Sequence, residues 1–349
     1  MTKYRAEDLI SFTTSLFAAA GCDGDKPATI ARGLVEADLL GHSTHGLQLA
    51  AGYLRELESG SMTPRGEPEI VADRGGAITW DGRRLPGVWL TAKAIDLAVE
   101  RVAAHGIVAV AIRQSHHIAC LASFLQRATD RGLMIILTCS DPSVASVAPF
   151  GGRKAVLTPD PIAIGIPTDA DPILIDISAS ITTNGMTGRL RDEGKRFTSP
   201  CLLDAAGNPT DDPAALFTDP PGTILPIGGV EHGHKGFGLA LMVEALTQGL
   251  SGFGRAEKPT GWGASIFLQV IDPAAFGGRA AFQHETSWTA EACRNTPPAP
   301  GVEAVRLPGQ RGLEFKRRAL VEGVSLYRGI MEALIPFAKK LGVHSPKEI

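Results

Sequence analysis

The 349-residue chain lacks the long apolar runs of a membrane protein, the basic stripes of a nucleic-acid-binding protein and the paired cysteines of a disulfide-rich protein. No apolar run reaches the roughly 18 residues that a membrane-spanning helix needs, and acids stand near the N-terminus where a signal peptide would be apolar. The formal net charge of −3 comes without a basic stripe, which disfavours nucleic acid and anionic membranes as partners. The five cysteines are scattered without a Cys-x-x-Cys pair, so neither a disulfide framework nor a cysteine zinc site is indicated. We therefore expect a cytoplasmic protein with a small-molecule partner.

The usual dinucleotide-binding fingerprint is also missing, because Gly-x-Gly-x-x-Gly occurs nowhere in the chain. Apolar strands predicted at residues 107–112 and 134–138, with a helix over 121–131 between them, still indicate a β-α-β unit in a sheet covered on both faces. Ser115, His116 and His117 follow the first of these strands, at a favoured position for a site. An α/β fold is expected, but not a Rossmann fold.

Both ends of the chain are predicted to be helical. Apolar residues recur at helical spacing over residues 6–20 and 27–40, and again over 316–340. Glycines, prolines and acids predict irregular structure over 59–81, interpreted as a domain crossing, and a loop-rich excursion over 186–222.

One glycine-rich segment stands out. Residues 228–238 contain five glycines, two histidines and Lys235, and they precede an apolar run over 239–243 that predicts a buried helix. Unpaired N–H groups at a helix start, together with the Lys235 charge, are suited to holding a phosphate. The same glycines could instead serve only for close packing at a helix-entry turn.

Histidine is the prominent titratable residue, since six of the nine fall into three flexible loops: His42/His45, His116/His117 and His232/His234. The ordinary pKa of histidine suits a proton donor or acceptor near neutral pH. Two imidazoles at short spacing could alternatively bind a metal, which would favour a metal-dependent hydrolase or lyase. Asp176 ends an apolar strand, where it could orient an imidazole, bind a ribose hydroxyl or cap a turn.

Several short motifs occur in order between about residues 40 and 310, and together they resemble the malate/L-lactate dehydrogenase family of the second type. The motifs are 41–46 (Gly-His-Ser-Thr-His-Gly) with Tyr53, 115–118 (Ser-His-His-Ile), 147–153 (Val-Ala-Pro-Phe-Gly-Gly-Arg), 161–163 (Pro-Ile-Ala), 176–180 (Asp-Ile-Ser-Ala-Ser), the glycine-rich segment and 307–309 (Leu-Pro-Gly). The resemblance implies a non-Rossmann fold with a mixed-sheet α/β core and a helical part drawn from both chain ends. The expected division is a helical part over 1–72, a cofactor- and substrate-binding core over 73–315, and a C-terminal helical part over 316–349. It also implies a homodimer.

The same resemblance implies an NAD- or NADP-dependent oxidoreductase that moves a hydride to or from C2 of a small 2-hydroxy or 2-oxo acid, or of a cyclic imino acid. It implies His45 and His117 as acid/base residues, Asp176 as a catalytic carboxylate, and no metal. The implied substrate contacts are Ser43, Leu49 and Tyr53. The implied cofactor contacts are Ser140, Asp176, Ile177, Ser178, Ser180, Thr182, His234, Lys235, Gly236, Gly309 and Gln310.

The chain departs from the family pattern at the expected carboxylate clamp. Many relatives have an arginine four residues after the histidine of the first motif, and Leu49 stands there in this chain. Residues 158–160 (Thr-Pro-Asp) and Gln310 depart as well. We therefore expect either a substrate with an apolar or cyclic far end or another cation, with Arg153 and Arg189 as candidates; a non-catalytic binding protein is a further alternative. NAD or NADP preference stays open, since the discriminating residue belongs to the missing fingerprint.

Overall fold

The computed structural model describes residues 2–349, which form eleven α-helices and twelve β-strands. The helices are α1 (Ala6–Ala19), α2 (Lys26–Leu39), α3 (Ala50–Glu58), α4 (Gly87–His105), α5 (Ala122–Thr129), α6 (Asn184–Asp192), α7 (Gly229–His232), α8 (His234–Glu244), α9 (Arg279–Arg294), α10 (Gln310–Glu322) and α11 (Ile330–Leu341). The strands are β1 (Lys3–Tyr4), β2 (Glu69–Asp73), β3 (Ala77–Asp81), β4 (Ile107–Ser115), β5 (Met134–Ser140), β6 (Pro161–Ile166), β7 (Ile173–Ser178), β8 (Leu202–Leu203), β9 (Pro209–Thr210), β10 (Thr223–Ile224), β11 (Ala264–Ile271) and β12 (Val324–Ser325).

A seven-stranded mixed sheet forms the centre of the molecule, in the order β2-β3-β4-β11-β5-β6-β7. Only the β3–β4 pair is parallel, and β11 runs antiparallel to both of its neighbours. The predicted strands and connecting helix are confirmed as β4, α5 and β5, but β4 and β5 do not pair, because β11 lies between them. Ile266, Leu268 and Val270 of β11 are fully buried. A local hydrophobic pattern can predict that a strand is buried, but it cannot predict which other strand lies next to it in the sheet.

The helical part is built from both ends of the chain, as predicted. In α1, Leu9, Phe12 and Leu16 are buried at helical spacing against α2 and α11. The short strand β1 pairs antiparallel with β12, which fastens the N-terminus to the C-terminal segment. One hydrophobic cluster runs from these helices to the central sheet. No helix within residues 2–349 combines the length and hydropathy of a membrane span.

Three expectations about the elements were wrong. Residues 59–81 are not irregular throughout, since β2 and β3 form an antiparallel pair there. The excursion over 186–222 is more regular than predicted, since it holds most of α6 together with β8 and β9, which form a small sheet with β10 just after it. The last helix is two helices, because the chain breaks at Gly323, where φ is +92° and an added Cβ would lie 2.5 Å from Ile349. The proposed boundaries at 72/73 and 315/316 fall inside β2 and α10, and the domain division itself stays a prediction.

Candidate active site

The loop that carries His45 is anchored to the end of α2. The Asp38 carboxylate, which is buried, accepts a hydrogen bond from the Leu47 backbone N–H at 2.7 Å. Gly46 packs so closely on this carboxylate that an added Cβ would lie 2.4 Å from it. The His45 N–H donates to the His42 carbonyl at 2.9 Å and closes the turn. A glycine and a buried acid therefore fix where His45 stands.

His117 lies just past the end of β4, as the sequence predicted. Its Nδ1 is 2.7 Å from the Tyr53 hydroxyl, and the Ala119 backbone N–H donates to the same nitrogen at 3.3 Å. Because a backbone N–H can only donate, Nδ1 must be an acceptor, and the neutral ring carries its proton on Nε2. Tyr53 is buried, so its hydroxyl positions His117.

The two predicted histidines come together. The rings of His45 and His117 are stacked with centroids 6.2 Å apart. The ring centroid of Trp262 lies 4.6 Å from that of His117 and 5.3 Å from that of Tyr53. Gly52 leaves room for the indole, since an added Cβ would be 3.3 Å from it. Sequence reasoning missed Trp262, which belongs to no motif and lies far from the histidines along the chain.

Both imidazoles are held neutral. Burial, together with the smaller effects of the nearby His42 and Arg189, lowers the pKa of His45 to about 4. Burial also places the pKa of His117 well below its ordinary value, with His45 and His116 adding to the effect. The expectation of a pKa near working pH therefore does not describe this site. At neutral pH each ring offers one lone pair and one N–H.

Asp176 lies in the predicted strand, but within it and not at its end, because β7 continues to Ser178. Its carboxylate accepts a hydrogen bond from the Ala122 N–H, at the start of α5, at 2.8 Å. Ligand atoms of His42, Cys120 and Asp176 lie within 4.8 Å of one another, and among residues 2–349 no other group of three metal-binding side chains is so close. Asp176 thus lies beside His42 and Cys120. The metal-binding alternative gains no support from His42/His45 or His232/His234, because neither pair completes such a group.

The predicted cofactor segments meet along a short backbone ladder. The Ile181 N–H donates to the Leu225 carbonyl at 2.9 Å, and the Ile227 N–H donates to the Ala179 carbonyl at 2.8 Å. At Gly236 an added Cβ would lie 2.3 Å from the Ile227 nitrogen and 2.6 Å from the Ala179 oxygen. Only glycine allows the start of α8 to approach residues 176–182 this closely.

The start of α8 is suited to an anion. The helix begins at His234 without a side-chain cap, after Gly228 has taken a left-handed φ of +95°. Lys235 is exposed in the first turn, and no carboxylate in residues 2–349 forms an ion pair with it. Uncapped N–H groups, the helix dipole and this charge together fit a phosphate. The rest of α8 is less buried than predicted, since Leu241 and Met242 are 51% and 43% exposed.

The remaining predicted cofactor contacts differ in how exposed they are and in what they bind within the protein. The Ser140 hydroxyl is buried and donates to Glu244 at 2.6 Å, within a polar network that includes Arg255. Ser178 and Ser180 donate to the carbonyls of Ser180 and Thr182, which shapes their turn, whereas Ile177 is exposed. Gly309 presses on Leu174 of β7, and the Gln310 side chain accepts the Leu307 N–H at the start of α10.

The missing arginine leaves three residues to place: Leu49, which stands at its position, and the two candidate cations Arg153 and Arg189. Leu49 ends a 3-10 turn over Leu47–Leu49 and packs on the hydrophobic cluster. Arg153 lies beside Gly207, whose added Cβ would be 3.3 Å from it. Arg189 of α6 donates to Ser43 in the His45 loop at 3.1 Å. Of the two candidate cations, Arg189 is the one that contacts the site.

A pair of partly buried, neutral histidines, together with an uncapped, lysine-bearing helix start on a mixed sheet without the dinucleotide fingerprint, fits an oxidoreductase. The chain belongs to the malate/L-lactate dehydrogenase family, whose model matches residues 4–335. This confirms the family expected from the motifs.

Individual relatives agree with this membership. The chain is 32% identical over 302 residues to an L-lactate dehydrogenase of Cupriavidus necator, covering 84% of this chain and 85% of that protein. The structure of malate dehydrogenase from Pyrococcus horikoshii is similar with a TM-score of 0.87 and 27% identity, covering 98% of this chain and 96% of that one. The structure of delta1-piperideine-2-carboxylate reductase from Pseudomonas syringae has a TM-score of 0.82 and 26% identity, covering 97% and 100%. The predicted non-Rossmann α/β fold is confirmed.

Proposed function

We propose that the protein transfers a hydride between the nicotinamide of NAD or NADP and C2 of a small 2-hydroxy or 2-oxo acid, or of a cyclic imino acid. The observation that carries this proposal is the stacked pair of neutral imidazoles, His45 and His117, 6.2 Å apart. Relatives named for lactate, malate and piperideine-2-carboxylate support both an oxygen and a nitrogen at C2.

The two histidines have distinct roles in this proposal. His117 has its Nδ1 occupied by the Tyr53 hydroxyl and the Ala119 N–H, so its Nε2–H donates a hydrogen bond to the substituent on C2. His45, neutral and bonded through Nδ1 to the Thr44 hydroxyl at 2.8 Å, accepts the hydroxyl proton during oxidation. The bound nicotinamide supplies or accepts the hydride.

For the cofactor, we propose that His234 and Lys235 hold its phosphates at the start of α8, and that Gly236, whose N–H donates to the Ile227 carbonyl at 3.1 Å, lies against the cofactor without donating to it. Residues 176–182, which the backbone ladder joins to this helix start, would lie along the cofactor, with Asp176 toward the nicotinamide. Ser140, Gly309 and Gln310 stay predicted contacts. The choice between NAD and NADP is left to measurement with both.

The substrate is proposed to have an apolar or cyclic far end. Leu49 offers no charge, and burying an unpaired carboxylate costs several kcal/mol. We expect weak or no activity with malate and lactate. A panel of 2-oxo acids and cyclic imines, assayed by oxidation of NADH and of NADPH, tests this: larger or cyclic compounds should be reduced faster than oxaloacetate and pyruvate. Robust turnover of oxaloacetate or pyruvate above all others would contradict the role given to Leu49.

A homodimer is proposed for the assembly. Val230 of α7 and Leu241 and Met242 of α8 are 52%, 51% and 43% exposed, and a second copy of the chain would cover them. Location in the cytoplasm stays a prediction.

A further inference from the structure

We infer that Arg189 of α6 binds the C1 carboxylate of the substrate, the group that every acid in the panel shares, whereas Leu49 offers no charge to a second carboxylate at the far end. The inference rests on the proposed function, since it assigns one group of the same substrate.

The guanidinium of Arg189 spans the loop that positions His45. Its Nη1 donates to the Ser43 hydroxyl at 3.1 Å, and its Nη2 donates to the Gln48 side-chain oxygen at 2.6 Å. The two acceptors lie on either side of His45 in sequence, so the guanidinium links the two ends of the segment 43–48 that carries His45. The start of α6 touches the same loop, because an added Cβ at Gly185 would be 3.8 Å from Thr44.

The guanidinium is held in place from behind. Its carbon lies 4.2 Å from the centre of the Tyr327 ring, and the Tyr327 hydroxyl donates in turn to Glu193. Glu193 also binds Lys195 at 2.6 Å. A planar cation stacked on an aromatic ring is pre-organised for two parallel hydrogen bonds to a carboxylate.

Arg189 forms no ion pair in direct contact with a carboxylate of residues 2–349, although Lys195 and, at longer range, the Arg189 charge lower the pKa of Glu193. Both of its hydrogen-bond acceptors are neutral and belong to partly exposed side chains, which a carboxylate can displace. Its neighbour on the same helix, Arg191, instead pairs with Asp192 at 2.7 Å and stacks on Phe217. The positive charge of Arg189 also lowers the pKa of His45, which places it within electrostatic reach of the reacting groups.

Replacing Arg189 should separate substrate binding from chemistry. For the best acid in the panel, Arg189→Gln should raise KM by about 30-fold or more, as expected when one partner of a charge pair is removed, with a smaller change in kcat. Discrimination between that acid and its uncharged amide should largely disappear. Arg189→Lys should recover part of the KM, and cofactor affinity should not change. Arg191→Gln, on the same helix, is the matched control and should leave KM unaltered.

A double variant and a binding measurement keep the inference testable if the Arg189→Gln variant misfolds or if the protein is inactive with every compound of the panel. Leu49→Arg in the Arg189→Gln background should restore the preference for acid over amide, because it returns a cation beside Gln48. Oxalate binding to the cofactor complex, followed by tryptophan fluorescence, should weaken in Arg189→Gln and not in Arg191→Gln. Unchanged KM and unchanged oxalate affinity in Arg189→Gln, or a wild type that binds no oxalate, would overturn the inference. A wild type that binds oxalate through Arg189 and reduces no panel compound would instead count against the proposed function alone.

Discussion

His117 owes its protonation pattern to a single backbone contact. The Ala119 N–H and the Tyr53 hydroxyl both reach Nδ1, which leaves Nε2 as the donor facing the site. A change at Tyr53 should therefore affect catalysis through His117, although Tyr53 was predicted from the resemblance to contact substrate directly.

Replacing either histidine should remove proton transfer and preserve cofactor binding. His45→Ala and His117→Ala are expected to lower turnover by about 10²–10⁴-fold, the usual contribution of general acid–base catalysis. Tyr53→Phe, which keeps the ring and removes the hydroxyl, should lower turnover less. Steady-state kinetics and a fluorescence titration of the cofactor measure both quantities. Full turnover in both alanine variants would exclude these residues as the acid and base.

The depressed pKa of His45 predicts an unusual pH profile. Oxidation requires neutral His45, and the neutral form persists until the pH falls to the pKa of about 4. In the oxidation direction kcat/KM should therefore remain constant from neutral pH to about 5 and decline only near pH 4, since this parameter reports the free enzyme. A limb centred near 6.5, the ordinary value, would show that His45 is not the base or is not desolvated.

The residues that sequence could identify are those in local motifs. His45, His117 and Lys235 stand in glycine- or serine-flanked segments; the structure brings the two histidine rings together and leaves Lys235 exposed at the start of α8. Asp38 and Trp262 could not be found in this way. Asp38 looks like an ordinary helix residue until Leu47 folds back onto it, and Trp262 reaches His117 only through the pairing of β11.

Among the elements, the start of α8 bears most directly on cofactor binding. Lys235→Ala should weaken nicotinamide nucleotide binding by roughly 1.5–3 kcal/mol, the range for a charge-assisted hydrogen bond. Lys339→Ala, in the last turn of α11, is a control that should bind normally. Equal affinity of the Lys235→Ala variant and the wild type in a fluorescence titration would remove this helix start from the site.

Helices were easier to predict than strand neighbours. The amphipathic spacing in α1 and α2 is a local signal, and both helices begin and end close to the predicted residues. The exposed face of α8 was missed because a continuous apolar run predicts burial, and the sequence pattern does not show whether the rest of the same chain covers every side chain of the run. Gly323 was passed over because one glycine inside a helical pattern is often tolerated.

At the scale of the whole molecule, the exposed apolar face of α8 predicts assembly. Leu241→Lys should convert a dimer into a monomer by placing a charge where a second copy would pack, whereas Val321→Lys on the exposed side of α10 should leave the assembly unchanged. Light scattering coupled to gel filtration gives the mass of each. A wild type that runs as a monomer, or a Leu241→Lys variant that stays dimeric, would rule out this interface.

The position of β11 has a consequence for the order in which the protein is made. Ala264 pairs with Ser115 at the end of β4, and Ser265 pairs with Ser140 at the end of β5. The strand that joins the two halves of the sheet, and the indole that rests on His117, are therefore translated long after both histidine loops have left the ribosome. Until residues 262–271 emerge, β4 and β5 have an unfilled gap between them and His117 lacks its aromatic neighbour. The central sheet and the aromatic side of the candidate active site are thus completed by the same late segment.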